Sequence, residues 1–395
     1  MRIGALLLIL MTNLFGAIYQ PAAAQVEVRD VAVFYEFGRN ATFQARINPA
    51  SDVEEAYLMI QPEGQGTRLE PVTWTNAGEI LFEYDLAVHP LRPFGRTYYW
   101  FRLVTKSGDV TTPSYWFDYV DNRFTWQTLA NEYFSIHWQG KDPSFGQEAL
   151  NIATSALESA QKILPVPPPL PFRVYIYANA EDLQSALPGI AENWVAGHAS
   201  PDLKVILLSI PDGPEQSLEL ERQLPHELMH ILQFELVGTQ YENVPVWLRE
   251  GIASITELYP NADYARVLDA AQQKDSFLAM ETLCSAFPRD AGSAFLAYAQ
   301  STSFVRYIYQ TYGNTGLMNL LRQYQAGLGC KEGVQASLGI SLNELENNWR
   351  ASSLSVSPSG KALKTLSPYL IVAALVIIAP LLLAVARPKT QEKLS

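Results

Sequence analysis

The chain has 395 residues, 48% of them hydrophobic and 11% aromatic, enough for two or three packed domains once the ends are set aside. Charged residues make up only 17%, which excludes extensive disorder. The 40 acidic residues against 28 basic ones give a formal net charge of −12, which excludes a nucleic-acid binder, because phosphate contacts need a dense lysine and arginine surface.

Residues 1–24 read as a secretory signal peptide. Arg2 supplies a basic start, residues 3–11 an apolar core, and Ala22-Ala23-Ala24 a small-residue cleavage site before Gln25. Residues 25–122 then alternate with a period of two between turn-forming stretches, which predicts strands over 26–37, 42–47, 56–61, 80–85, 97–105 and 114–119. Asn-Pro, Glu-Gly, Asn-Ala-Gly and Ser-Gly-Asp separate them as turns. So many short strands in so short a span predict an antiparallel β-sandwich. The stretch Leu91-Arg92-Pro93-Phe94-Gly95-Arg96-Thr97-Tyr98-Tyr99 loosely resembles the tyrosine-corner region of fibronectin type III domains, which implies an immunoglobulin- or fibronectin III-like sandwich.

From residue 132 to 354 the pattern turns to mixed helix and strand, an α+β domain. Strands are expected over 134–138, 172–177 and 205–209, an amphipathic helix over 146–164 ending at Pro165, and a short helix over 181–187. Beyond Ser217 the chain is almost wholly helical to about Ser353. Residues 355–367, rich in serine, proline and lysine, read as a flexible stalk. An uncharged apolar run follows, YLIVAALVIIAPLLLAVA over 369–386, long enough to cross a bilayer. Arg387, Lys389 and Lys393 come after it, so 368–387 is expected as a transmembrane helix and 388–395 as a cytoplasmic tail. The protein is then a single-pass protein of a cell membrane, with its N-terminal bulk outside. Cys284 and Cys330 are the only cysteines. In an exported chain they make either one disulfide, worth about 3–4 kcal/mol for a loop of that size, or two buried thiols.

The chemistry is concentrated in Leu224-Pro225-His226-Glu227-Leu228-Met229-His230. Four residues make about 1.1 turns of α-helix, so His226 and His230 project from one face and can grip one ion. Glu227 starts about 100° away, where it can meet metal-activated water. With five histidines in the chain, H-E-x-x-H arises by chance in about one such sequence in a few hundred. Pro225 removes a helix donor, and it either kinks the segment or marks the start of the metal helix. A catalytic zinc takes three protein ligands and keeps one position open. Glu250, in Trp247-Leu248-Arg249-Glu250-Gly251-Ile252-Ala253, lies far enough on for a second helix to return antiparallel, and Gly251 and Ala253 are small enough to let it pack closely.

H-E-L-M-H followed by W-L-R-E-G-I-A resembles the peptidase MA-like gluzincin family, a thermolysin-like fold, over residues 132–353. The resemblance implies one Zn2+ per chain held by His226, His230 and Glu250, with Glu227 as general base in peptide-bond hydrolysis. The pattern E-G-x-A-x-x-x-E ends at Glu257, which by the same resemblance supports a ligand histidine, and its spacing from Glu250 places both on one helix face. Residues 194–199 and 205–209 stand where gluzincins place a substrate-binding edge strand. The G-x-M-E-N strand of the aminopeptidases is absent from this sequence, so an endopeptidase is expected. Tyr298 is the candidate oxyanion donor, with His198 as runner-up, whereas His89 and His137 are read as structural. The partners expected are a peptide or protein substrate and the bilayer. The rival reading is a surface-binding protein on a gluzincin core that no longer catalyses.

Overall fold

The computed structural model describes residues 26–169, 171–187 and 197–354, together with Leu366, Ser367 and Tyr369. The expected signal peptide and cytoplasmic tail lie outside the described residues. So do the stalk apart from Leu366 and Ser367, and the apolar run of 368–387 apart from Tyr369. Among the described residues no helix is long and apolar enough to cross a membrane. The chain forms two compact units that divide after Arg123.

The first unit consists of strands β1 (Glu27–Glu36), β2 (Asn40–Asn48), β3 (Val53–Pro62), β4 (Arg68–Val72), β5 (Glu79–Asp85), β6 (Arg96–Thr105), β7 (Gly108–Thr111) and β8 (Tyr115–Asp118). They form two antiparallel sheets, ordered β1-β2-β5 and β4-β3-β6-β7, with β8 also paired to β6. Alternate residues of β2 (Ala41, Phe43, Ala45, Ile47) and of β6 (Tyr99, Phe101, Leu103) are buried, as period-two patterning requires. The sheets meet through Phe43 and Tyr99, whose ring centroids lie 5.1 Å apart edge to face, a contact worth about 0.5–1.5 kcal/mol beyond its burial. Two tyrosine hydroxyls tie the first and last strands of this unit together: Tyr35 shares its proton between the carbonyls of Asp118 and Val120, and Tyr119 accepts from the Gly38 N–H at 2.7 Å. Patterning misses β4 and β7. β4 contains Pro71 and turns Leu69 to solvent, as an edge strand can, and β7 opens with the Gly108-Asp109 pair that local chemistry assigns to a turn.

The second unit opens with β9 (Gln127–Ala130), β10 (Phe134–Trp138), α1 (Pro143–Ile163), β11 (Phe172–Tyr177), α2 (Ala180–Ala186), β12 (Gly197–Ser200) and β13 (Val205–Ser209). The sheet order is β12-β13-β11-β10-β9; β11 runs parallel to β10 and β13, while β9 and β12 are antiparallel edges. Helix α1 starts three residues before the expected Gly146, because Asp142 caps it by accepting from the Ser144 N–H and Pro143 fills the first turn. Every residue of β13 is buried, which is why it reads as an unbroken apolar run.

Helices α3 (Gln216–Val237), α4 (Val246–Ile255), α5 (Asp263–Lys274), α6 (Ala291–Gln325), α7 (Cys330–Leu338) and α8 (Leu342–Trp349) follow. α6 is broken at Gly313 (φ 66°, ψ −170°), in a backbone region that only glycine occupies readily. Cys284 and Cys330 are bonded, joining the turn before α6 to the first residue of α7, and the Cys330 sulfur accepts from the Trp247 indole N–H of α4. α4 packs on both α3 and α6. Its closest approach to α6 is at Gly251, where a Cβ would lie 2.4 Å from Val305 Cγ2 and 2.6 Å from the Ser301 carbonyl oxygen. Gly251→Ala is therefore expected to destabilise this unit by about 1–3 kcal/mol, read as a lower denaturant midpoint at constant slope.

Candidate metal centre

α3 carries His226 and His230 one turn apart, and their ring centroids lie 5.0 Å apart. Leu224, Leu228, Met229, Ile231 and Leu232 are fully buried, so the apolar side of this helix is fixed in the core and the imidazoles share its remaining face. α4 presents Glu250 to them. Its Trp247, Leu248, Ile252 and Ala253 are fully buried, and the buried Gln233 of α3 donates to the Arg249 carbonyl at 3.0 Å, locking the two helices in register.

One carboxylate oxygen, Glu250 Oε2, lies 3.3 Å from His226 Nε2 and 3.7 Å from His230 Nε2. Ligand atoms bound tetrahedrally to zinc at about 2.0–2.1 Å stand about 3.3 Å apart, so these separations match that cation. The donor set of two imidazole nitrogens and one carboxylate oxygen suits zinc and leaves a fourth position free. The opposite ring nitrogens are both engaged. His226 Nδ1 is 3.2 Å from Glu257 Oε1, and His230 Nδ1 is 2.8 Å from the Tyr241 hydroxyl. With acceptors beside both Nδ1 atoms, a neutral imidazole at either position keeps its proton on Nδ1 and leaves Nε2 to ligate.

Glu257 does not share a helix face with Glu250, contrary to the expectation from spacing. α4 ends at Ile255 and Glu257 lies in the irregular chain beyond it, buried, with its carboxylate still turned to His226. Tyr241 is the residue that sequence reasoning missed. It stands on the tight turn over Gly238–Asn243 after α3, under the Arg249 guanidinium, which lies 5.0 Å from the ring centroid and pairs with Glu242. No motif spacing announces it, because its place depends on how the chain leaves α3.

Glu227 points to the sheet edge. A Cβ on Gly197 of β12 would lie 2.7 Å from Glu227 Oε1, and the Ala199 N–H donates to the Glu227 carboxylate. Tyr298, on α6, packs edge to face on Phe287, 4.9 Å between centroids, and feels the charges of both Glu250 and Glu227. His198 of β12 lies within electrostatic reach of His230. The other two histidines stand elsewhere: His89 stacks on Tyr84 in the first unit, and His137 of β10 stacks on Tyr175 at 4.4 Å.

Burial and mutual charge set the protonation states. Burial raises Glu227 to about 7, with Glu250 adding to the rise, while His226 and the Ala199 N–H pull it down. Burial lowers His230 to about 4, so it is neutral above that pH. At His226 burial acts in the same direction, but hydrogen bonds to Glu250 and Glu257 and the charge of Glu227 outweigh it and hold the ring well above its ordinary value. Glu250, which burial alone would raise, is instead held at about 2 by the two imidazoles.

The raised pKa of His226 means that a proton competes with a cation for this ring, so cation affinity is expected to fall as pH drops. Calorimetric zinc titrations in buffers of differing ionisation enthalpy should report net proton release on binding. Tyr241→Phe deletes the partner of His230 Nδ1 and should weaken zinc binding by about 10-fold or more, measured by competition with a chelator.

The profile of the Peptidase MA superfamily matches residues 152–355. No curated protein matches the chain. Among solved structures, an aminopeptidase N family protein from Idiomarina loihiensis is 10% identical, covering 87% of this chain and 75% of its own, with a TM-score of 0.38. An M1 zinc metallopeptidase from Deinococcus radiodurans is 11% identical, covering 82% of this chain and 93% of its own, with a TM-score of 0.37. The match to that profile spans more than half of the sequence and takes in both the H-E-x-x-H helix and Glu250, and the chain belongs to the Peptidase MA superfamily.

Proposed function

We propose that this protein is a zinc-dependent endopeptidase, with one Zn2+ per chain held by His226, His230 and Glu250 and with Glu227 as general base. The observation that carries the reading is the convergence of two Nε2 atoms and Glu250 Oε2 at ligand spacing, beside a carboxylate that faces a sheet edge. When bound, the ion supplies Lewis acidity, polarising the scissile carbonyl and lowering the pKa of water toward about 7.

The remaining work falls to the chain itself. β12 ends its sheet with no further strand beside it among the described residues, so the main-chain groups of its outer edge other than the Ala199 N–H can receive an extended peptide. Gly197 lets that edge pass directly against Glu227, since a side chain there would collide with the carboxylate. Glu227 accepts a proton from the attacking water and delivers it to the leaving amine, and its elevated pKa near 7 suits both halves of that exchange. Tyr298, kept a neutral phenol by burial and by the carboxylates around it, is the proposed donor to the oxyanion. Glu257 and Tyr241 hold the imidazoles in orientation. The apolar run at 369–386, with the basic residues after it, supports a reading in which the peptidase unit is tethered to a membrane with its bulk outside.

Glu227→Gln keeps the shape and removes the base. It is expected to lower peptide hydrolysis by about 100- to 10,000-fold while one zinc per chain is still bound. Equal rates in wild type and Glu227→Gln, with equal zinc content, would instead assign the protein a binding role. Wild-type kcat/KM should fall as pH drops below the Glu227 pKa, about 7 before the lowering charge of a bound cation is added. The acidic limb should be missing from the residual activity of the variant. Cleavage of peptides with a blocked N-terminus separates an endopeptidase from an aminopeptidase, and such peptides are expected to be cut.

A further inference from the structure

Pro225 sits inside α3, immediately before His226. A proline has no N–H, so the Glu221 carbonyl four residues back loses the donor that helix geometry assigns to it. That oxygen accepts instead from the backbone N–H of Leu258, at 3.0 Å. Leu258 directly follows Glu257, whose Oε1 lies 3.2 Å from His226 Nδ1. A second, weaker contact runs the same way: the Thr256 hydroxyl donates to the Ala253 carbonyl at 2.6 Å and stands 3.4 Å from the Pro225 carbonyl oxygen. Residues on both sides of Glu257 thus lie against the backbone of α3, Leu258 through a full hydrogen bond.

Little else fixes this carboxylate. α4 has ended at Ile255, so helical geometry does not aim it, and Glu257 Oε2 is buried without a hydrogen-bond partner. Its position follows from where the backbone of 256–258 is docked. We propose that Pro225 is a positioning residue. By withholding its N–H it keeps the Glu221 carbonyl open as the docking point for Leu258, which sets Glu257 on His226 Nδ1 and turns His226 Nε2 toward the metal. The helix gives up one internal hydrogen bond beside a ligand, and the chain that orients that ligand takes up the freed acceptor.

This inference rests on the zinc reading above, and the test separates the two. Pro225→Ala restores an N–H at 225, which then competes with Leu258 for the Glu221 carbonyl. Alanine is also the better helix former, so the variant folds. In the full chain, Pro225→Ala should weaken zinc binding by about 10-fold or more, as the loss of a histidine's outer partner does, while the melting temperature of the metal-free protein stays level or rises. Glu257→Ala should show a similar loss. The double variant should bind no more weakly than Glu257→Ala alone, because both changes act through one contact. Wild-type affinity in Pro225→Ala, or losses that add in the double variant, would overturn the role given to Pro225 and leave the zinc site standing. Failure of the wild type to bind zinc would remove the site itself.

Discussion

The site depends on one close packing: α3 and α4 must lie near enough for a single carboxylate oxygen to face two imidazole nitrogens at 3.3 and 3.7 Å. Three features enforce it. The buried faces of both helices share one core, Gln233 bonds to the Arg249 carbonyl, and Gly251 lets α4 press onto α6 without a side chain between them. Interiors are close-packed, so a shift of even a methyl group at this junction is passed to Glu250.

That packing concentrates charge. Glu227, Glu250 and Glu257 stand around two imidazoles, with side-chain exposures of 4–17% among the paired members. Carboxylates taken out of water cost several kcal/mol each unless paired, and here the pairing is shared among few groups. The raised pKa of His226 is one answer to that cost; a divalent cation at the convergence point would be a stronger one, since His226, His230 and Glu250 would all face it. The same burial that makes the site expensive keeps Glu227 basic near neutral pH.

Much of the architecture is legible in the residues. β13 matches its apolar run residue for residue, because a strand buried on both faces leaves an unbroken hydrophobic signature; β10 and β11 match theirs as well, β10 through alternation of buried and half-buried residues. The short strands β4, β7 and β9 escape, since four or five residues with turn-forming or polar members carry too little periodicity to stand out. The start of α1 moves because a cap acts through side-chain bonding at one residue, which periodicity does not register. For the cysteines, composition admits a bridge or two thiols alike; the turn before α6 and the first residue of α7 bring them together.

What the sequence by itself determined is the set of groups that α-helical geometry alone lines up: His226 and His230 a turn apart with Glu227 beside them, whereas the meeting of Glu250 with that pair depends on how α4 packs on α3. The relations within α3 repeat every 3.6 residues and hold wherever the helix goes. Only the tertiary structure decided what holds the imidazoles in place. Tyr241 comes from the turn that leaves α3 and Glu257 from irregular chain past the end of α4, while Gly197, against Glu227, comes from the edge strand β12. Their positions depend on where the backbone goes once regular structure stops, and that path is fixed by docking against other elements, as the Glu221–Leu258 hydrogen bond illustrates.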